Sequence, residues 1–297
     1  MQFLAYVLIY PLLWLISILP FKLLYAFSDF VYIIIYRIIG YRKRTVKNNL
    51  KLVFPEKSAE EINTITKKFY HHLCDMFLEM IKTLTASKKV LGKHFVITNP
   101  EELKRLETLN KSIIMMYGHY ASYEWSVVTE NYISYKGMGI YKRIANKYFD
   151  RLVRRIRSKF NTELIDTKHA IAEVTNHEKQ GVRTITAFIS DQSPKLNKAY
   201  YWTDFMGITV PCFTGAEMVA KNLDMTVAYL KIEKVKRGYY QTEVVTLAEN
   251  PRDYKNYDIT EKFTRVLEQQ IRNKPEFYLW THKRWKHKDQ VPDAFKK

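Results

Sequence analysis

The chain opens on an apolar run in which no residue from Phe3 to Phe21 carries a charge. As a helix at ~1.5 Å per residue this is about 28 Å, close to the thickness of a bilayer core. After Lys22 and Asp29 a second apolar run, Phe30 to Tyr36, leads into Arg37, Arg42, Lys43, Arg44 and Lys47. The pattern predicts a membrane anchor over residues 1–40, with the cations placing the rest of the chain on the cytoplasmic side. Pro11 and Pro20 are compatible with a kinked or re-entrant segment as well as a straight span. A buried hairpin of the core is the alternative. The early positive charge and small-residue cleavage site of a secretory signal are not evident.

Beyond Pro55, Ser58-Ala59-Glu60-Glu61 is a capping-box signature opening a long amphipathic helix to about Leu84, with Ile62, Ile65, Phe69, Met76 and Met80 on its inner face. His71, His72 and Asp75 lie on it without a third and fourth metal ligand at recognisable spacing, so a solvated helix face is the expectation. From His94 onward short apolar runs alternate with amphipathic segments. Strands are predicted near 94–98, 112–117, 137–141, 163–166, 183–190, 225–232 and 239–247. Helices are predicted near 122–133, 146–160, 168–179, 215–223 and 258–273, with capping signatures at Thr214 with Glu217 and at Asp258 with Glu261. This alternation predicts an α/β fold, a mixed central sheet flanked by helices. No repeat or low-complexity linker divides residues 41–297, which are read as one domain.

Composition narrows the partners. Of 297 residues 47% are hydrophobic, and the formal charge is +18 with a pI near 9.6. Such self-repulsion points to anionic partners: an acidic membrane surface, phosphorylated substrates, an acidic protein or nucleic acid. Two cysteines, Cys74 and Cys212, offer neither a disulfide framework nor zinc spacing. P-loop, GxGxxG and GxSxG motifs are absent, which argues against nucleotide cofactors and a serine hydrolase.

The chemistry centres on Met115 to Trp125. A buried strand ends at Gly118-His119, a helix comes next, and Glu124 stands five residues after the histidine. Mid-helix, that spacing separates the side chains by about 140° at ~100° per residue, so His119 must precede the helix. Gly118 permits a tight strand exit, Ser122 is a plausible N-cap, and Glu124 then falls in the first turn, able to fold back towards the imidazole. A carboxylate-held neutral imidazole is a general base for a hydroxyl attacking a carbonyl. A hydrogen-bonded histidine at a strand end is the plain alternative.

Two further groups could complete a site. Asp191-Gln192-Ser193-Pro194 comes after the apolar strand Thr184 to Ile189, where an ordinary Asp and Pro turn is the alternative. Lys142 and Arg143 succeed the strand around Ile140, and Arg151, Arg154, Arg155, Arg157 and Lys159 crowd one helix with few interleaved acids, a pattern suited to anions. Trp280-Thr281-His282-Lys283-Arg284-Trp285-Lys286-His287-Lys288 mixes indoles with cations, as at a lipid headgroup interface or a base-stacking surface. With an apolar segment at the other end of the chain, the membrane reading is preferred over nucleic acid.

Gly118-His119 with Glu124, Ile140-Tyr141-Lys142, Tyr148-Phe149-Asp150-Arg151-Leu152 with Arg157 and Phe160, Ser190-Asp191-Gln192, Phe205-Met206-Gly207 and Trp280 to Lys286 succeed one another in a recognisable order. Together with Arg42 through Pro55-Glu56 they resemble the motifs of the bacterial lipid A biosynthesis (late) acyltransferases, within the lysophospholipid acyltransferase superfamily, over roughly residues 25–287. The resemblance implies transfer of a fatty acyl chain from acyl carrier protein, or coenzyme A, to a hydroxyl of an anionic membrane lipid. It makes His119 the base and Glu124 its orienting acid, with Lys142, Arg143, Arg157, Asp191 and Gln192 at the substrate. Lys142 and Arg143 stand where the family pattern has Arg and then Pro, exchanging a bidentate fork for a point charge, and Asn161 replaces the usual Gly. Neither a metal nor another cofactor is implied, nucleic acid is not expected, and the setting is the cytoplasmic face of a bacterial inner membrane. Aminolipid or pigment acceptors, and a non-catalytic membrane lipid-binding protein, are the alternatives.

Overall fold

The computed structural model describes residues 2–296. Its strands are β1 (Phe95–Ile97), β2 (Ile113–Tyr117), β3 (Lys136–Tyr141), β4 (Glu163–Asp166), β5 (Thr184–Ile189), β6 (Tyr201–Phe205), β7 (Ile208–Cys212), β8 (Thr226–Lys236) and β9 (Tyr239–Ala248). The helices are α1 (Gln2–Ile18), α2 (Phe21–Tyr32), α3 (Lys43–Val53), α4 (Ala59–Lys82), α5 (Lys88–His94), α6 (Pro100–Thr108), α7 (Lys147–Arg157), α8 (Ala170–Lys179), α9 (Gly215–Leu223) and α10 (Asp258–Asn273). Seven strands form one mixed sheet in the order β1-β9-β8-β2-β5-β3-β4. Only the β8–β9 pair is antiparallel within it. All five residues of β2 are buried, as its continuous apolar run requires of a strand covered on both faces. The predicted mixed sheet flanked by helices is what forms.

The predicted strands match β1–β5, β8 and β9 to within a few residues, whereas the antiparallel β6–β7 hairpin is not among them. The predicted helix after His119 is a 3-10 helix, Tyr123–Asn131, in which Ser122 does not cap; its hydroxyl donates instead to the buried Glu79 carboxylate at 2.9 Å. The capping box at Ser58 and Glu61 is present in both directions. Thr214 makes no side-chain cap. Glu217 turns away and caps α10, accepting from the Tyr257 and Thr260 amides at 2.6 and 2.9 Å. Two carboxylate oxygens thereby meet orphan amides of a helix that begins without a capping side chain of its own.

The charge-free N-terminal run does not form one helix. Leu19 and Pro20 separate α1 from α2, and α2 continues into a π-helical stretch, Ile33–Ile39. Among the described residues no single helix is long and apolar enough to cross a membrane. The stretch Phe21–Ile39 passes by length and composition only together with α3, across an 89° bend. α1 is held against the rest of the protein at its C-terminal end, where Lys82 Nζ donates to the Ser17 and Leu19 carbonyls at 2.9 and 2.7 Å. Phe3, Leu4, Leu8, Leu12 and Leu15 nevertheless remain exposed along it.

Candidate active site

Strand register creates the centre. In the parallel β2–β5 pair Tyr117 is opposite Ile189, so the residues two places beyond each strand end, His119 and Asp191, emerge side by side. The C-terminal ends of parallel strands are the usual place for such a site. His119 Nδ1 lies 2.7 Å from Asp191 Oδ1. Burial pushes the Asp191 carboxyl up, but the adjacent imidazole and its hydrogen bonds outweigh this and hold it below the ordinary aspartate range. An ionised Asp191 fixes the tautomer with hydrogen on Nδ1, leaving the Nε2 lone pair outward. Gln192 Nε2 stands 3.3 Å from that Nε2, so in the resting arrangement its amide donates to the atom a substrate hydroxyl would approach.

The backbone under the histidine is pinned from the far end of the chain. Leu279 N donates to the His119 carbonyl at 3.0 Å and Ala121 N to the Phe277 carbonyl at 2.9 Å, while the Tyr120 hydroxyl reaches the Gln270 and Lys274 carbonyls. Gly118 serves close approach: its φ is not left-handed, but a Cβ there would stand 2.8 Å from a Leu267 methyl on α10. Asn49 Nδ2 donates to the Trp280 and His282 carbonyls, and Arg42 to that of Thr281. The indoles of the C-terminal stretch are therefore not presented to a headgroup layer, whereas Lys283, Lys286 and Lys288 are exposed. Trp280, Arg284 and Trp285 are buried, because the indoles fill the space beneath the site and bond to the Pro275 and Phe205 carbonyls.

The expectation that Glu124 orients His119 is corrected. The 3-10 helix directs Glu124 towards α7, where Arg157 Nε donates to Oε2 at 2.9 Å and Nη2 to Oε1 in a bidentate pair. Desolvation disfavours the Arg157 cation, but the Glu124 charge and hydrogen bonds prevail and raise its pKa. Tyr123 lies between the two pairs, its ring edge-to-face with His119 at 5.0 Å; burial, with Glu124 beside it, pushes its hydroxyl up. Lys142 and Arg143 stay on the exposed loop after β3, where Arg143 pairs with Asp166 at 2.8 Å. Of the predicted residues, His119, Asp191, Gln192, Glu124 and Arg157 come together and Lys142 and Arg143 do not join them.

Much of the α7 cationic row is structural. Lys159, just past the helix, donates to the Thr83, Leu84 and Ala86 carbonyls at the C-terminal end of α4, and Arg154 to Leu164 O. Arg151 and Arg155 remain exposed. The solvated-face reading of α4 is likewise corrected for His72 and Asp75, which are buried beneath the β8–β9 turn. There Asp75 accepts from Ser28, Lys234 and Arg237. Among the described residues no three His, Cys, Asp or Glu side chains gather as a metal site.

Sequence reasoning misses two neighbours. His282 Nε2 accepts from the Ser193 amide at 3.2 Å, and burial lowers its pKa to about 4. Its only sequence signal is its place in the Trp-rich stretch. The second is an apolar cavity of about 100 Å³, running under one sheet face from Tyr117, Ile189 and Tyr141 past Ala187 and Gly139. Tyr123, Glu124 and Arg157 stand at the end nearest His119. It exists because Ala187, Gly137 and Gly139 put almost no side chain on that face. Period-two spacing shows the alternation but cannot show that neighbouring strands put their small residues in register.

The chain is 21% identical over 276 residues to a lipid A biosynthesis palmitoleoyltransferase of Escherichia coli (strain K12), covering 92% of this chain and 88% of that protein. It has the same identity and coverage with a lipid A biosynthesis acyltransferase of Shigella flexneri. The sequence model of the family described as bacterial lipid A biosynthesis acyltransferase matches residues 2–287. With that match running from α1 through the strand-end histidine to the buried tryptophans, the chain belongs to the bacterial lipid A biosynthesis acyltransferase family.

Proposed function

We propose that the protein transfers a fatty acyl chain from a carrier thioester to a hydroxyl of a lipid A-type or related glycolipid, with His119 as general base and Asp191 as the group that orients it. The observation carrying this is the 2.7 Å His119–Asp191 hydrogen bond, one aromatic ring away from a cavity with the apolar lining an acyl chain needs. His119 Nε2 takes the acceptor hydroxyl proton as its oxygen bonds to the thioester carbonyl carbon. The tetrahedral intermediate collapses, the C–S bond breaks, and the imidazolium returns the proton to the leaving thiolate. Asp191 remains ionised throughout and stabilises the imidazolium. For a hydroxyl to reach Nε2 the Gln192 amide must swing aside, which leaves a hydrogen-bond donor beside the carbonyl oxygen as its charge develops. Glu124 and Arg157 shape the entrance to the acyl cavity.

The donor in this reading is acyl carrier protein, whose acidity complements a chain of +18, with coenzyme A thioesters as substitutes. The exposed apolar side of α1, Leu23, Phe30, Ile38 and Ile39 seat the protein on the cytoplasmic leaflet of the inner membrane, in its plane or re-entrant. The test is acyl transfer from defined carrier thioesters to lipid A precursors by the purified chain in mixed micelles. A product heavier by one acyl group, lost in His119→Ala, is expected. Full turnover by His119→Ala would sink the mechanism, and transfer only to an aminolipid or pigment acceptor would replace the substrate.

A further inference from the structure

The far end of the apolar cavity is lined by a polar pair, Glu130 and Thr162, to which the proposed chemistry gives no part. Three rows of side chains floor the cavity, set by the register of β2, β5, β3 and β4: Tyr117 with Ile189; Met115, Ala187, Gly139 and Leu164; and Ile185 with Gly137. From the first row to the last is four residues of strand, about 13 Å at ~3.3 Å per residue. At the last row Glu130, near the end of the 3-10 helix, lays its carboxyl over Gly137 and accepts a hydrogen bond from Thr162 Oγ1, whose methyl lies beside Gly139. It reaches there only because residue 137 is glycine, since a Cβ at that position would overlap the Glu130 carboxyl. Desolvation raises the Glu130 pKa, partly countered by Thr162.

We propose that the Glu130–Thr162 pair, seated against Gly137, is the stop that sets the length of acyl chain this protein accepts. This rests on the acyl-transfer reading of the cavity. A chain whose methyl end meets the pair gains from every buried methylene. A longer chain must displace a buried hydrogen-bonded carboxyl or leave its last methylenes unburied, forfeiting roughly fourfold in binding per methylene. Ala187, in the middle row, is the point where added volume shortens the cavity without touching the stop.

The experiment compares decanoyl to octadecanoyl carrier thioesters with the full-length protein in detergent. Turnover is measured alongside displacement of a fluorescent fatty acid from the same samples. Glu130→Ala is expected to move the optimum at least one step up the even-numbered series, improving the next longer chain about tenfold relative to the parental optimum. Glu130→Gln, equal in size, keeps the parental profile, and Ala187→Met moves it at least one step down. Profiles of Glu130→Ala and Ala187→Met that both superimpose on the parent would overturn the stop, as would an equal shift in Glu130→Gln. Should Glu130→Ala fail to fold, Ala187→Met decides alone: a downward shift supports the cavity geometry and an unmoved optimum refutes it. If displacement depends on length in this way while no thioester turns over, the stop stands and the acyl-transfer reading falls.

Discussion

His119 with Asp191 and Arg157 with Glu124 are two carboxylate–base pairs on either side of Tyr123, built from opposite logic. The first joins residues 72 apart in sequence and leaves one ring nitrogen facing outward, with the Gln192 amide 3.3 Å from it. The second joins a first-turn glutamate to an arginine fork that occupies both carboxylate oxygens. A base must keep an open lone pair and a partner that stabilises its charged form, whereas a clamp must use up its valences. Closeness of an acid and a histidine along the chain is therefore a poor guide to which acid the histidine uses.

That contrast fails most visibly if His119 is dispensable, since His119→Ala is expected to lower acyl-transfer turnover by about 10³- to 10⁴-fold, read by mass spectrometry of the acylated product. Asp191→Asn should come next at about 10³-fold with little change in KM, because the wrong tautomer and an unstabilised imidazolium act on the chemical step. Glu124→Gln should cost only about tenfold, and a larger loss than Asp191→Asn would reverse the roles assigned to the two acids. Arg157→Ala leaves a largely buried carboxylate without its fork and should destabilise the fold by about 2 kcal/mol in urea unfolding. The joint change to Glu124→Leu with Arg157→Leu should cost less than that single replacement.

The smallest expected effect is on stability against pH. His282 titrates near 6.5 when unfolded and near 4 when folded, so its contribution is whole above pH 6.5 and is lost as pH falls towards 4. Because the ring is only partly buried, solvent screening cuts the loss to about 1–2 kcal/mol. His282→Asn should flatten that slope, and an unchanged slope between pH 6.5 and 4 would show that His282 is not its source.

Local pattern is enough for the elements that carry the site. The apolar run Ile113–Tyr117, the strand Thr184–Ile189 and the helix Asp258–Asn273 all lie where periodicity puts them, because each buries a face whose spacing is visible along the chain. The hairpin Tyr201–Phe205 with Ile208–Cys212 escapes that pattern, since its Tyr-Trp-Thr-Asp-Phe segment takes its stability from cross-strand pairs and from Trp285 stacked on Phe205. The cationic helix and the tryptophan stretch are visible as compositions, but Lys159 proves to cap α4 and Trp280 to be core.

By itself the sequence determined the mixed α/β order, the strand-end histidine, the aspartate at the end of a second strand, and the family to which their order belongs. Only the tertiary structure decided that Asp191 rather than Glu124 holds His119, that Arg157 is the partner of Glu124, and that Gly137, Gly139 and Ala187 line one cavity. The physical reason is common to all three. Each depends on which strands are neighbours and in what register, and that is settled by burial of the whole sheet rather than by residues close in the chain.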